Sequence, residues 1–296
     1  MDLLADVVSR YELQTEISNS YAYQLRYALT RFERFLRRAA TTADLTEGTV
    51  NRWLKHERDV GEIGDRSRAN VRTSLLTLWK KFGQGLNREN VRSVAVTPKN
   101  PEAWAFDELE RVAEAASKVD GYLTNGLPRG LYFSTCLWFA YETGLRRSDV
   151  WRFNLSEFDG NRLAAMTQHK TKRVHVVTIT SETETDLRRL SSRLQSAGDK
   201  HAQTPLRWPQ SETTFYYWMR RARELADVEP EKRNRALQHV RRTGATQVES
   251  EGGLAWRFLG HSRQGLDRKS YVDQRKAVAP ITPQRQRTHG QSSKRA

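Results

Sequence analysis

The chain contains a single cysteine, Cys136, and that scarcity excludes both a disulfide framework and a zinc site built on paired cysteines. Cys136 sits inside the apolar run LYFSTCLWFAYETG and reads as a small core residue. No run of about 18 apolar residues is present, so no membrane-spanning helix is expected. The opening residues, MDLLADVVSRYELQTE, lack the basic-then-apolar order of an export signal. A cytoplasmic protein without a membrane partner is the expectation. Acidic residues are also in deficit: 35 Asp and Glu face 50 Lys and Arg, leaving a formal charge of +15 over 296 residues. Such a surface attracts polyanions, and nucleic acid is the commonest of these for a basic protein of this size.

What is present is mostly helical periodicity. From Ser18, the segment SNSYAYQLRYALTRFERFLRRA places Leu25, Ala28, Leu29, Phe32, Phe35 and Leu36 at helical spacing behind polar capping residues. LTEGTVNRWLKHERDV offers Thr46 as N-cap, Val50, Trp53 and Leu54 on one face, and a stop near Gly61. DRSRANVRTSLLTLWKKFG sets Val71, Leu75, Leu78 and Phe82 on a stripe, with Arg66, Arg68, Arg72, Lys80 and Lys81 mostly off it. These helices predict a small bundle whose basic faces would make phosphate contacts.

Pro98 and Pro101 interrupt the periodicity in VRSVAVTPKNPEAW, and the domain boundary is placed there. Residues 1–96 are read as the helical, DNA-binding module, residues 97–280 as a second domain, and residues 281–296 as a basic, disordered tail. In the second domain FDELERVAEAASK and LYFSTCLWFAYETG read as helices, the latter buried because it is apolar nearly all round. The one β signal lies between Gly160 and Thr180, where RLAAM and VHVVTI flank TQHKTKR: a hairpin with a lysine-rich tip. Beyond it, SETTFYYWMRRARELADV, QHVRRTGATQVES, LAWRFLGHS and DRKSYVDQRKAV favour helix. The fold class predicted is mainly α with a small β-hairpin.

Cutting a phosphodiester without a metal requires a nucleophile, cationic donors for the non-bridging oxygens and an acid for the departing oxygen. The second domain supplies all three kinds of group. Tyr271 follows Arg268 and Lys269 and lies ten residues after His261, a cationic setting that a phenol with an ordinary pKa of about 10 needs in order to attack at neutral pH. Tyr216 and Tyr217 are poorer candidates, because both precede the HVRR segment on a predicted helix.

TGLRRSDV, the hairpin lysine, HVRRTGATQ, LGHS and a downstream tyrosine occur in the order found in tyrosine recombinases, and from Ser18 to about Val278 the chain resembles that phage-integrase and Xer-like family. The resemblance implies a SAM-like core-binding bundle followed by a tyrosine-recombinase catalytic domain, together closing on duplex DNA. It implies catalytic roles for Arg146, Lys170, His239, Arg242, His261 and Tyr271, with Asp149 supporting. Within HVRR the His-x-x-Arg spacing selects His239 and Arg242 over Arg241, and Lys172 stays open beside Lys170 as the general acid. The activity implied is cleavage and rejoining of DNA through a 3′-phosphotyrosine, with no cofactor, by four protomers on two DNA sites. The apolar AVAPI, residues 277–281, is the candidate for exchange between protomers. Two alternatives remain at this stage: a catalytically inactive DNA-binding regulator of the same fold, and a type IB topoisomerase-like relaxing enzyme.

Overall fold

The computed structural model describes residues 2–82, 85, 87–97, 100–159, 162–229, 236–261 and 272. The chain divides into two compact units, Met1–Pro98 and Lys99–Ala296.

The first unit is a four-helix bundle: α1 (Leu4–Gln14), α2 (Asn19–Leu36), α3 (Glu47–Val60) and α4 (Asp65–Phe82). Ser18 caps α2 by accepting from the Tyr21 amide, and Thr46 caps α3 by accepting from the Thr49 amide. The stripes read from periodicity meet in one core of Leu25, Phe32, Val50, Trp53, Leu75 and Leu78, to which α1 adds Leu4 and Val8. Helix α1 was not anticipated, although Leu4, Val7, Val8 and Tyr11 follow the helical i, i+3, i+4, i+7 spacing. A buried cation joins the helices: the Arg31 guanidinium on α2 is paired with Glu57 on α3, and its Nη1 donates to Glu62 at 2.8 Å.

The second unit is built round α6 (Arg129–Thr143), which packs against α5 (Phe106–Ser117), α8 (Ser181–Ser196) and α10 (Ala236–Ser250). Its apolar circumference is buried as its composition predicts, and Cys136 is fully enclosed, with burial pushing its thiol pKa up to about 12. Aromatic rings from Phe133, Trp208 and Phe215 fill the space between α6 and α9 (Glu212–Leu225), Phe215 lying 5.7 Å from Phe133 and 5.2 Å from Trp208. Two short helices, α7 (Arg147–Val150) and α11 (Ala255–Phe258), complete the unit.

The hairpin forms as expected. Strands β1 (Leu163–Thr167) and β2 (Val174–Thr178) pair antiparallel, with Leu163 opposite Thr178 and Met166 opposite His175. Alternation buries Ala164, Met166, His175 and Val177 and leaves Leu163, Val174 and Val176 outward. Helix α8, also not anticipated, is fixed to the end of α6 by Glu142, whose carboxylate accepts from the Thr180 amide at 2.9 Å and from the Thr183 hydroxyl at 2.9 Å. Among the described residues no helix is long and apolar enough to cross a membrane.

Candidate active site

Helix α6 ends at Gly144, and the chain turns so that Arg146 stands at the N-cap of α7. The half-buried Arg146 lines a pocket shared with Arg147, Ser148, Tyr216, Leu237, Gln238 and Arg241. Close packing of α10 on α6 brings the last two there. A Cβ on Gly244 would lie 2.5 Å from the Tyr141 carbonyl oxygen, so glycine lets the two backbones meet. Leu237, Gln238, Arg241 and Ala245 then share the face of α10 that looks toward the end of α6.

The pair expected within HVRR is not the pair that lines this pocket. Arg241 and Gln238, not Arg242 and His239, line the pocket with Arg146. His239 is buried on another side of α10, its ring stacked on Trp104 at 5.8 Å and its Nδ1 3.1 Å from the Glu102 carbonyl. Thr243 one turn later donates to the Trp104 carbonyl at 3.3 Å, so this side of the helix grips residues 102–104. Arg242 is half-buried and turned about 100° round the axis from Arg241. Both candidate pairs have i, i+3 spacing, so spacing alone does not choose between them. The small residues Gly244 and Ala245 are the signal that does: they mark the tightly packed face, and Arg241 lies on it one turn earlier.

One buried amide holds Arg146 and shares a carbonyl partner with Arg241. Gln168, at the base of the lysine turn and completely buried, accepts through Oε1 from Arg146 Nη1 at 2.9 Å and from the Thr171 hydroxyl at 2.8 Å. Its Nε2 donates to the Leu259 carbonyl at 3.4 Å, and the same carbonyl accepts from Arg241 Nη2 at 2.9 Å. Gly260 makes room for this, since a Cβ there would lie 2.3 Å from Gln168 Nε2. His175 on β2 lies beside the same turn. Burial holds its pKa below the ordinary 6.5, and the charges of Arg241 and Arg146 add to that, against the pull of the Thr143 and Phe258 carbonyls. It therefore stays a neutral ring next to two cations at neutral pH. Neither Gln168 nor His175 was singled out from sequence, because each reads as an ordinary hairpin position.

The remaining expected residues are placed as follows. Asp149 is buried, and its Oδ1 accepts the His169 amide at 2.8 Å, which fixes the foot of the lysine turn. Lys170 and Lys172 are both exposed in that turn, Lys172 with φ +54°. His261 is half-buried directly after Gly260, its amide donating to the Trp256 carbonyl at 2.8 Å. Tyr271, the helix expected over DRKSYVDQRKAV, the AVAPI segment and the tail lie outside the described residues. Val272, next to Tyr271 in sequence, is buried against Ala245, Ala255 and Leu259. Tyr216 lines the pocket, and its hydroxyl accepts from Arg147, which is also paired with Glu212; Tyr217 is exposed. Among the described residues no group of three or more His, Cys, Asp or Glu side chains is placed to hold a metal ion.

In the first unit the five basic residues singled out divide. Arg66 and Lys80 are exposed, and so is Lys81, whose ammonium lies 5.5 Å from the centre of the Tyr11 ring. Arg68 is paired with Asp65. Arg72 donates to the carbonyls of Val91 at 2.7 Å and Arg92 at 2.6 Å, so its guanidinium fastens the end of the bundle, and burial lowers its pKa.

No family sequence model matches the chain, and no curated protein sequence matches it. Solved structures do. A lambda integrase dimer bound to a COC′ core site superposes with a TM-score of 0.70 at 17% identity, over 95% of this chain and 100% of that one. A lambda integrase tetramer bound to a Holliday junction gives 0.65 at 17% identity, over 90% and 79%. The Tn1549 transposon integrase in complex with transposon right-end DNA gives 0.64 at 13% identity, over 88% and 92%. These proteins are tyrosine recombinases, and the chain has their fold.

Proposed function

We propose that the protein is a metal-independent DNA strand-transferase, a site-specific recombinase or integrase that cleaves and rejoins duplex DNA through a 3′-phosphotyrosine at Tyr271. The observation that carries this reading is the convergence of Arg146, Gln238 and Arg241 on one pocket, with the foot of the lysine hairpin and the turn before His261 joined to it through Gln168. Two guanidiniums can fork onto the non-bridging oxygens of a phosphodiester and offset the charge that grows in a pentacoordinate transition state. Gln238 adds a neutral donor. Tyr271 attacks phosphorus and releases its phenolic proton to solvent, and Lys170 or Lys172 hands a proton to the departing 5′ oxygen as the P–O5′ bond breaks. His261 donates to the phosphate. The tyrosyl ester conserves the bond energy, so rejoining needs no nucleotide.

The proposed set is therefore Arg146, Lys170, Gln238, Arg241, His261 and Tyr271, with Asp149 and Gln168 supporting. Arg66, Lys80 and Lys81 on the first unit would contact backbone phosphates, and with the charge of +15 the binding should weaken steeply as salt is added. Recombination would join four protomers on two DNA sites.

The test is a pool of nicked duplexes with randomised sequence, in which loss of a short fragment after cleavage prevents religation. The wild-type protein should yield a denaturant-resistant protein–DNA adduct whose sequencing reveals the preferred site, and Tyr271→Phe should yield none. An adduct formed by Tyr271→Phe would remove the assigned nucleophile. A wild type that binds DNA tightly but never forms the adduct would leave a DNA-binding regulator.

A further inference from the structure

We infer that Gln168 is the positioning residue of the reaction proposed above: one neutral, fully buried amide sets the separation of the two guanidiniums and couples it to the hairpin that carries Lys170. The inference rests on that reading of the pocket. Both ends of the amide have fixed roles, because a guanidinium only donates and a carbonyl only accepts. Oε1 must therefore face Arg146, at 2.9 Å, and Nε2 must face the Leu259 carbonyl, at 3.4 Å. Arg241 reaches the same carbonyl at 2.9 Å. The path Arg146–Gln168–Leu259–Arg241 is thus continuous although the amide touches only the first arginine.

The backbone of Gln168 extends the path into the hairpin. Its amide donates to the Arg173 carbonyl at 2.9 Å, and its carbonyl accepts from the Lys172 amide at 2.9 Å. Thr171, between the two candidate lysines, donates to Oε1 at 2.8 Å. A change in the lysine turn therefore displaces the acceptor that holds Arg146. Neutrality matters as much as reach. A carboxylate in this place would pair with Arg146 and cancel charge needed at the phosphate, whereas an amide oxygen orients the guanidinium and leaves its charge intact. The amide both accepts and donates without charge, which a carboxylate of the same length does not.

The test uses Gln168→Met in the full chain, with inorganic phosphate as the probe and arginine side-chain NMR as the readout, the two resonances being assigned through Arg146→Lys and Arg241→Lys. Wild type should show both guanidinium signals moving together on titration. Gln168→Met should bind phosphate about ten-fold more weakly, and the Arg241 resonance should shift although residue 168 does not touch it. On DNA selected from the nicked pool, adduct formation should slow by about a hundred-fold with DNA affinity unchanged, a split that a loss of folding would not produce. Thr171→Val removes one donor at a half-buried site and should cost about three-fold in phosphate affinity, which keeps the question open to measurement if the methionine variant does not fold.

Unchanged phosphate affinity and an unmoved Arg241 signal in Gln168→Met, or in Thr171→Val where only that variant folds, would overturn the inference. If these hold while wild type forms adduct, the inference alone falls and the strand-transfer reading stands. If the phosphate response is as expected but wild type never forms adduct, the positioning role stands and the strand-transfer reading falls.

Discussion

Helix α10 carries two polar faces, and they serve different ends. On one, Gln238 and Arg241 line a pocket with Arg146. On the other, His239 stacks on Trp104 and Thr243 donates to the Trp104 carbonyl. The difference comes from packing. Where Gly244 lets α10 touch α6, an arginine one turn earlier is carried to the end of α6 and meets a second cation. Where α10 instead meets the segment at residues 102–104, histidine becomes a flat ring in a stack with its nitrogen on a backbone carbonyl. A histidine and an arginine three residues apart thus do not show which residues share a pocket; the helix face decides.

Substitutions that separate the faces should produce unlike losses. The largest is expected from Arg146→Ala and Arg241→Ala, each lowering adduct formation on the selected nicked DNA by about 10³-fold, near 4 kcal/mol of transition-state stabilisation. The double variant should be little worse than either single one, since the pair acts as a unit. Next comes His239→Ala, which should leave adduct formation near wild type at low temperature but cost about 2 kcal/mol of stability in a denaturant titration, through the lost stack and the unpaired Glu102 carbonyl. Loss of adduct formation in that variant without loss of stability would move the histidine back into the chemistry. Gln238→Ala should slow adduct formation by about ten-fold with an unchanged melting temperature, as expected for a neutral donor at a phosphate.

The smallest effect is a pH dependence at His175. Its folded pKa lies below the ordinary value of 6.5, so between the two the unfolded chain binds the extra proton and the native state does not. The stability gained is complete above about pH 6.5 and is lost as pH falls through the folded value. Melting curves should show wild type declining below that pH, and His175→Asn should decline less. Equal slopes would mean that His175 is not held neutral behind the arginines.

Much of this was legible in the residues. The stripes and caps of α2, α3 and α4 were readable because each amphipathic face is long and ends in capping groups such as Ser18 and Thr46. The hairpin was readable because period-two alternation flanks a polar turn. Helix α8 was not, since Leu187, Leu190 and Leu194 are diluted among polar residues. In the candidate site, Arg146 was legible through the resemblance that TGLRRSDV carries, since a basic residue after a helix-ending glycine is by itself ordinary. Gln168 and His175 depend on which neighbour their face of the hairpin meets, and for Arg241 and Gln238 the cue lies in the small pair Gly244 and Ala245 and not in the HVRR motif itself. Asp149 was found as an acidic position, but its task of holding the His169 amide appears only once the hairpin lies against α7.

The most direct test of the account is single-turnover adduct formation by Arg241→Lys and Arg242→Lys measured side by side on the same nicked DNA. An ammonium cannot copy a forked guanidinium at a phosphate. The account predicts a loss of at least about a hundred-fold for Arg241→Lys and a change of less than about three-fold for Arg242→Lys; the reverse order would contradict it.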